Sequence, residues 1–243
     1  MNSHDPRSIA LRRRFLLQAL SSGALVGGMG WNAAALAGWF GSRPKQLPEG
    51  RSIHELEGRV LINGQRARKD MLIQASDRIE TGPGGKIVFG VGDNAYIVRE
   101  RTVFEMEGKA LFLNAMRLVT GAVLGVFGRR KKALTLSTKV ATIGIRGTAL
   151  YSRVYPDKTY ACTCYGMTQI QSVVDSSASE DIVSEHHDAP RFILQQPQDG
   201  RIIQPAPVFD HTDLELVLLE ALVGREVPFP MPAEPIGGPR RGY

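Results

Sequence analysis

Short apolar runs that alternate with turn signals follow one another between residues 53 and 174. The run at 58–64, GRVLING, ends in an Asn-Gly pair, which is the strongest short-range cue for a β-hairpin. The periodicity at 111–120 fits a strand and a short helical turn equally well. Further runs lie at 86–91, 95–98, 103–107, 121–127, 149–154, 159–165 and 167–173. Because no long amphipathic helix separates them, the sequence predicts an all-β domain, either a sandwich or a solenoid-like stack of short strands.

The most distinctive stretch is 136–148, LSTKVATIGIRGT, which combines β-branched residues with two glycines and one arginine. β-Branched residues favour a pleated, half-buried surface, and glycine within a strand pattern indicates a bulge. We therefore expect one strand with a kink formed by Gly144 and Gly147. Arg146 could bind a carboxylate or phosphate, or it could bridge backbone carbonyls at the bulge. We expect the bridging role, since its neighbours Ile143 and Ile145 have buried character.

The first forty residues have the three zones of an export signal. Arginines come first, an uncharged apolar stretch follows, and small residues form an A-x-A cleavage site. The arginine pair with its following Phe and Leu resembles the twin-arginine (Tat) signal, which implies export through the Tat translocase to the bacterial periplasm. The residues of this signal are Arg12, Arg13, Phe15, Leu16, Ala35 and Ala37. The alternative is an uncleaved membrane anchor, because no charge occurs between Phe15 and Phe40.

The size and charge of the chain favour one domain with appendages. The chain has 243 residues and a formal charge of +6, of which half falls in the first fourteen residues. The basic run at 129–132 lies between two predicted strands, so we expect a solvated hairpin loop and no nucleic-acid binding. The predicted organisation is a signal peptide at 1–37, a linker at 38–52, a β domain at 53–174, an extension with short strands and one helix at 175–227, and a Pro-rich, disordered tail at 228–243.

The order of glycines and strand residues in the body resembles the FecR domain. The matching positions before the signature are Gly58, Val60, Ile62, Asn63, Gly64, Asp77, Ile79, Thr81, Gly82, Gly85, Lys86, Ile87, Gly121, Thr138 and Ala141. The structural signature itself is Gly144, Ile145, Arg146, Gly147 and Thr148, and Gly166 follows it. This resemblance implies an all-β periplasmic module, best known in regulators that pass an outer-membrane iron-uptake signal to a sigma factor.

The chain departs from those regulators at its N-terminus. Only about eleven residues precede the apolar stretch, far fewer than the cytoplasmic sigma-binding segment of such a regulator requires. From the resemblance we therefore expect this chain to share the fold, the compartment and a binding or scaffolding character of the FecR domain. We do not expect it to control a sigma factor.

Cys162 and Cys164 are the two cysteines of the chain, and as alternate residues of a strand they face the same way. A disulfide between them is disfavoured by the divergent geometry along one strand. They are small core residues, a strained vicinal-type pair, or half of a metal site. The other half would be His186 and His187, in the polar stretch EHHD, with His211 a third histidine in this part of the chain. Two thiolates and two imidazoles would suit a tetrahedral zinc or iron ion.

No catalytic constellation occurs in the sequence. It contains no G-x-S-x-G motif, and the serines and carboxylates before the histidines lie in a polar stretch that reads as solvated. Further along, Thr212 and Glu215 form a capping box that opens a helix, and Gly224 ends it. Its predicted apolar face is Leu214, Val217, Leu218, Ala221 and Leu222.

The sequence is compatible with three functions. The first is a non-enzymatic periplasmic module that binds an envelope protein or a small ligand. The second is a metal-binding or redox protein that uses Cys162, Cys164, His186 and His187. The third is a membrane-anchored signal transducer, which would require an uncleaved N-terminal segment, as the sole contact with the membrane, and a cytoplasmic partner.

Overall fold

The computed structural model describes residues 44–230, so the predicted signal peptide, residues 38–43 of the linker and residues 231–243 of the tail lie outside the described part. The elements in this range are β1 Ile53–Glu57, β2 Val60–Ile62, β3 Gln65–Arg66, β4 Arg78–Thr81, β5 Lys86–Val91, β6 Asn94–Val98, β7 Val103–Lys109, β8 Phe112–Val126, β9 Leu134–Ser137, β10 Ala141–Val154, β11 Lys158–Ser172, β12 Ser179–Ser184, β13 Arg191–Gln198, β14 Arg201–Pro205 and α1 Asp213–Leu222. The predicted all-β fold with a short C-terminal helix is confirmed. No helix between residues 44 and 230 has the length and apolar character needed to cross a membrane.

The strands join in one hydrogen-bonded sheet with the order β14-β13-β11-β10-β9-β8-β7-β4-β2-β3. Strand β6 pairs with β8, and the sheet continues from β6 through β5 to β1. Strand β12 pairs with β11. The strands pair antiparallel, apart from a short parallel contact between β8 and β9. Since β12 and β13 both pair with β11, the strands of the extension are part of the same sheet as those of the body.

In each of the three longest strands, every second residue faces the large core. The phase of this alternation shifts by one residue at a glycine with positive φ. These glycines are Gly121 in β8, Gly147 in β10 and Gly166 in β11, with φ of 77°, 60° and 84°. On one side of these points the strands supply the large core, which includes Ile79, Ile87, Phe104, Leu118, Leu136, Ile143 and Ile170. On the other side both faces of the strands are largely buried, and one of them supplies the helix-side core, which includes Ile97, Leu124, Tyr151, Tyr160, Cys162, Cys164, Leu216, Leu219 and Leu222. Each long strand therefore contributes to both cores.

The expectation of one kinked strand at 136–148 is wrong, because the chain reverses within it. Strand β9 ends at Ser137, and β10 begins at Ala141 and pairs back onto it. The Oγ1 atom of buried Thr138 accepts hydrogen bonds from the backbone N–H of Ala141, at 3.0 Å, and of Val140, at 3.4 Å. This local side-chain bonding competes with strand continuation and forms the turn.

The bulge lies at one of the two glycines named for it. Gly144 pairs regularly, with Thr135 on one side and Gln169 on the other. The register shifts only after Arg146, where Gly147 adopts its left-handed conformation. The Arg146 side chain is exposed, and within residues 44–230 it makes no hydrogen bond, so the expected bridge to backbone carbonyls is wrong. A charged side chain here has access to water and needs no fixed acceptor.

Two predicted chain reversals are bends within continuous strands. Residues 112–120 belong to β8, and this strand continues through Gly121 to Val126. Likewise, β11 runs through Gly166 without turning. The basic run at 129–132 is a loop, but it does not close a hairpin, because β8 and β9 pair parallel.

The N-terminus of α1 is confirmed in detail, whereas its buried face was predicted correctly only at Leu222. Thr212 caps the helix, and both hydrogen bonds of the capping box with Glu215 are present. Gly224 follows the end of the helix with φ of 71°. Leu214 is 57% exposed, and the buried side chains are Leu216, Leu219, Glu220 and Leu222. The apolar pattern misplaced this face because a carboxylate, Glu220, belongs to it.

Candidate metal centre

Four side chains from three separate parts of the chain bring their donor atoms together at one edge of the helix-side core. They are Cys162 and Cys164 of β11, His187 of the β12–β13 loop, and His211, which precedes α1. The two sulfurs and one nitrogen of each imidazole all lie within 4.8 Å of one another. Two thiols and two imidazoles at this spacing are the donor set of a tetrahedral metal site.

The two cysteines are placed by the alternation of β11. They lie two residues apart on the side of Gly166 where β11 faces the helix-side core, as the sequence predicted. Both are free thiols, and both are 0% exposed. The Cys164 thiol donates to the Cys162 carbonyl oxygen at 3.6 Å, which keeps the two sulfurs on one side of the strand.

His187 is presented by a loop that its neighbours hold tightly. The Asp188 carboxylate accepts hydrogen bonds from the backbone N–H of Glu185, at 2.6 Å, and of His186, at 3.1 Å. The backbone N–H of His187 donates to the Cys164 carbonyl oxygen at 2.8 Å and ties the loop to β11. His187 has φ of 57°, a left-handed conformation that non-glycine residues rarely adopt. Strain of this kind persists only where surrounding contacts enforce it, and it is concentrated at functional sites.

His211 is fixed from both sides of its ring. The ring stacks on Tyr151 with a centroid distance of 4.7 Å and an interplanar angle of 19°. The preceding residue, Asp210, has φ of 65° and accepts a hydrogen bond from the Tyr151 hydroxyl at 2.7 Å. Arg153 also pairs with the Asp210 carboxylate. These contacts hold the segment before α1 on the sheet and direct the imidazole of His211 towards the thiols.

Hydrogen bonds on the outer nitrogens assign the proton positions of the two ligand imidazoles. His187 has its Nε2 atom 3.1 Å from Asp213 Oδ1, and His211 has its Nδ1 atom 2.8 Å from the Phe209 carbonyl oxygen. Both acceptors require an N–H donor, so the protons of the neutral rings belong on these outer nitrogens. The inner nitrogens then direct lone pairs at the thiols. Metal-binding histidines are oriented in this way by carboxylates and backbone carbonyls.

Two of the six distances between the donor atoms are close to the edges of a coordination tetrahedron. His187 Nδ1 lies 3.4 Å from Cys162 Sγ and 3.1 Å from His211 Nε2. Typical zinc bonds to sulfur and nitrogen give edges of about 3.6 Å between sulfur and nitrogen and about 3.3 Å between two nitrogens. The side chains could therefore bind an ion without rearrangement of the backbone.

The electrostatics of the site favour a thiolate at Cys162. Its hydrogen bond with Cys164, followed by those with His187 and His211, lowers the pKa of Cys162 well below its usual range, although burial opposes this. Burial raises the pKa of Cys164, and the neighbouring Cys162 raises it further. Burial alone would lower the pKa of His187, but hydrogen bonds with Cys162 and Asp213 raise it. Metal binding would require both thiols and both inner imidazole nitrogens to be free of protons.

The structure brings together three of the four residues that the sequence singled out as metal ligands. His186 is the exception, because its Nε2 atom lies 2.9 Å from Asp213 Oδ1 and its ring packs on Phe229 at 4.3 Å between centroids. His211 takes the fourth position, although the sequence pattern indicates it only as a third histidine in this part of the chain. Its position immediately before the capping residue Thr212 is the signal that could have identified it, since a capped helix start is a fixed point in a fold.

Cys162, His187 and Asp213 also form a hydrogen-bonded series of the kind that activates a nucleophilic cysteine. Reactive cysteines are partly exposed, whereas the Cys162 side chain is 0% exposed. An external substrate would have no path to the sulfur atom in this conformation. The arrangement is thus suited to hold an ion among four protein ligands and not to attack a substrate.

Comparison with known proteins gives a partial structural likeness. No protein-family model matches the sequence, and no curated protein matches it. Two crystal structures, at 1.65 and 2.50 Å resolution, of a "putative anti-sigma factor" from Parabacteroides distasonis resemble the fold with a TM-score of 0.43 and 10% sequence identity. The likeness covers 53% of this chain and 59% of that one.

Proposed function

We propose that this protein is a non-enzymatic β module that binds a zinc ion through Cys162, Cys164, His187 and His211. The pair of histidines carries the proposal. Each imidazole gives its proton to an acceptor outside the site and turns a bare nitrogen inward, and these two nitrogens lie 3.1 Å apart. Two facing lone pairs repel unless a cation or a proton lies between them. Two buried sulfurs beside them make a metal cation the better occupant.

Zinc fits this donor set better than the other common ions. A tetrahedral set of two thiolates and two imidazoles is typical of structural zinc, whereas carboxylates and carbonyls are typical of calcium and magnesium sites. Iron was the other ion considered from the sequence, and it remains an outcome of the metal analysis. All four ligands come from the protein, so no position is left open for a substrate or an activated water. The ion would therefore stabilise the structure.

The proposal extends to the location of the module. The signal-like N-terminus supports export through the Tat translocase to the periplasm, and the FecR-like order of residues supports binding of an envelope protein or a small ligand there. Contact with the membrane would occur only if the N-terminal segment stayed uncleaved. N-terminal sequencing of the protein from a periplasmic fraction tests this part. A start at Gly38 is expected, and a full-length form in the cytoplasm alone would contradict it.

Metal analysis of the purified, untagged protein tests the zinc site directly. We expect one zinc per chain, and we expect cobalt to replace it with the visible spectrum of a tetrahedral site that contains thiolates. His187→Ala should lose the ion, whereas His186→Ala should retain it, since His186 contacts Asp213 instead of the site. The two histidines are adjacent in the sequence, so the comparison is matched. Metal below a tenth of an equivalent in the wild-type protein, even after incubation with zinc, would refute the proposal.

A further inference from the structure

The segment from residue 206 to residue 230, here named the C-terminal cover, lies over the helix-side core. Leu216, Leu219 and Leu222 of α1 are buried against this core, and Phe229 packs on Tyr165 at 5.9 Å between ring centroids. Before the helix, Phe209 packs on Tyr160 at 4.3 Å between centroids. The cover thereby shields a sheet face that is rich in tyrosine and aliphatic side chains.

The candidate zinc site lies where this cover meets the sheet. His211 belongs to the cover, whereas the two thiols belong to β11 and His187 to the loop after β12. Asp213, the first residue of α1, accepts the hydrogen bond that orients His187. One residue of the cover thus provides a ligand and another orients a second ligand, with the capping residue Thr212 between them.

This position matters because α1 is short. A helix of ten residues is marginal by itself, since forming its first turn fixes several residues for a single hydrogen bond. A metal bond to His211 would fix the chain immediately before that turn and would lower the entropic cost of starting the helix. Besides the apolar packing of Leu216, Leu219, Leu222 and Phe229, the cover is linked to the sheet by polar contacts, among them those from Arg99 to Glu215, from Tyr165 to Glu220 and from Arg153 to Asp210. None of these is a bond of comparable strength to metal coordination.

We propose that zinc binding holds the C-terminal cover closed over the helix-side core and that removal of zinc releases it. This inference rests on the proposed zinc site. With zinc bound, the cover stays closed and Tyr151, Tyr160 and Tyr165 remain shielded. Without zinc, the cover opens locally while the rest of the sheet stays folded, because the large core contains no metal ligand. Zinc supply would then control exposure of an apolar, aromatic surface.

Hydrogen exchange followed by mass spectrometry on residues 38–243 tests the inference. The protein is compared with zinc bound and after removal of zinc by a chelator. We expect the amides of α1 to exchange at least about tenfold faster without zinc, since ligand linkage transfers binding energy to the segment that the ligand holds. The amides of the β7–β8 pairing, which supply the large core, should exchange at the same rate in both states.

Two variants sharpen the experiment. His211→Ala removes the ligand of the cover but leaves Cys162, Cys164 and His187, so α1 should exchange rapidly even with zinc present. Leu214→Ala is the control, because Leu214 belongs to the same helix but is exposed. Its α1 should retain the zinc-dependent protection of the wild-type protein. If His211→Ala does not fold, the wild-type comparison with and without zinc still decides.

The outcomes separate the two proposals. If zinc binds stoichiometrically without changing the exchange of α1, zinc does not hold the cover closed, and the proposed zinc site still stands. Failure of the protein to bind zinc overturns both. If removal of zinc increases exchange equally across β7, β8 and α1, the proposal for the cover is also refuted, because the ion would then stabilise the whole fold and not the cover alone.

Discussion

The Nδ1 atom of His187 lies 3.1 Å from the Nε2 atom of His211, and each ring has its other nitrogen bonded to an acceptor outside the pair. When the proton of each ring is on its outer nitrogen, the two inner nitrogens are both acceptors, and a proton or a cation between them is needed to make the contact favourable. The two buried cysteines beside the pair provide the other two donor atoms of the proposed zinc site.

Asp213 should set the affinity of the site without being a ligand. Asp213→Asn removes the negative charge that accepts the His187 Nε2 proton, and loss of such a partner typically lowers metal affinity by about 10- to 100-fold. Competition with a chelator of known zinc affinity measures this, while the stoichiometry at saturation should stay at one. Asp199→Asn, in the exposed turn between β13 and β14, should leave the affinity unchanged. Equal affinities for both variants would show that Asp213 plays no part.

Thr212 should stabilise the start of α1 through its capping box. Thr212→Ala removes the side-chain oxygen that accepts from the Glu215 backbone N–H, and the loss of such a cap typically costs about 1 kcal/mol. Thr212→Ser keeps that oxygen and is the matched control. Hydrogen exchange of the α1 amides reports the effect most directly. A Thr212→Ala protein with wild-type exchange in α1 would contradict the role of the cap.

Gly147 should be the glycine that the bulge in β10 requires, and Gly144 should be replaceable. Gly147→Ala places a side chain in the left-handed region, at a cost of about 1–2 kcal/mol, and its Cβ atom would lie 3.1 Å from the Arg129 Cα atom. At Gly144 the nearest atom to an added Cβ is 3.7 Å away, and φ is ordinary. Urea unfolding should place Gly144→Ala within about 0.5 kcal/mol of the wild type. The opposite ranking of the two variants would show that the bulge is assigned to the wrong glycine.

Tyr165 should stabilise the buried Glu220 carboxylate at the far end of α1. Glu220 is 3% exposed, and its two oxygens contact the Tyr165 hydroxyl and the Arg225 guanidinium. Tyr165→Phe leaves one oxygen without its donor, and this should lower the free energy of unfolding by about 1–3 kcal/mol. Zinc content should not change. Tyr155→Phe is the control, since within residues 44–230 its hydroxyl makes no hydrogen bond; an equal loss of stability in both would exclude a specific role for Tyr165.

The sequence predicted those parts of the structure that depend on local chemistry. The Asn63-Gly64 turn, the capping box at Thr212 and the shared face of Cys162 and Cys164 each follow from residues within a few positions of one another. The turn at Thr138 was missed although it is local, because the hydroxyl that forms it sits in a run of good strand formers.

The complete ligand set could not be read in the same way. Cys162, His187 and His211 meet because β13 pairs with β11 and brings the loop before it and the segment after β14 to the same edge. Nothing local distinguishes His186 from His187 in the pattern EHHD. The choice depends on the left-handed φ of His187, which the Asp188 carboxylate and the Cys164 carbonyl group enforce.

The glycines at which the long strands change faces also set the phase of the strand that carries the thiols. One residue separates Gly166 from Cys164. Because side chains alternate between the two faces of a strand, whether this number is odd or even determines which core the two sulfurs face. Insertion of a single residue there would turn Cys162 and Cys164 towards the large core, away from both histidines, while the apolar composition of the strand would hardly change. Among related chains, the spacing from this glycine to the cysteines should therefore vary by even numbers wherever the site is retained.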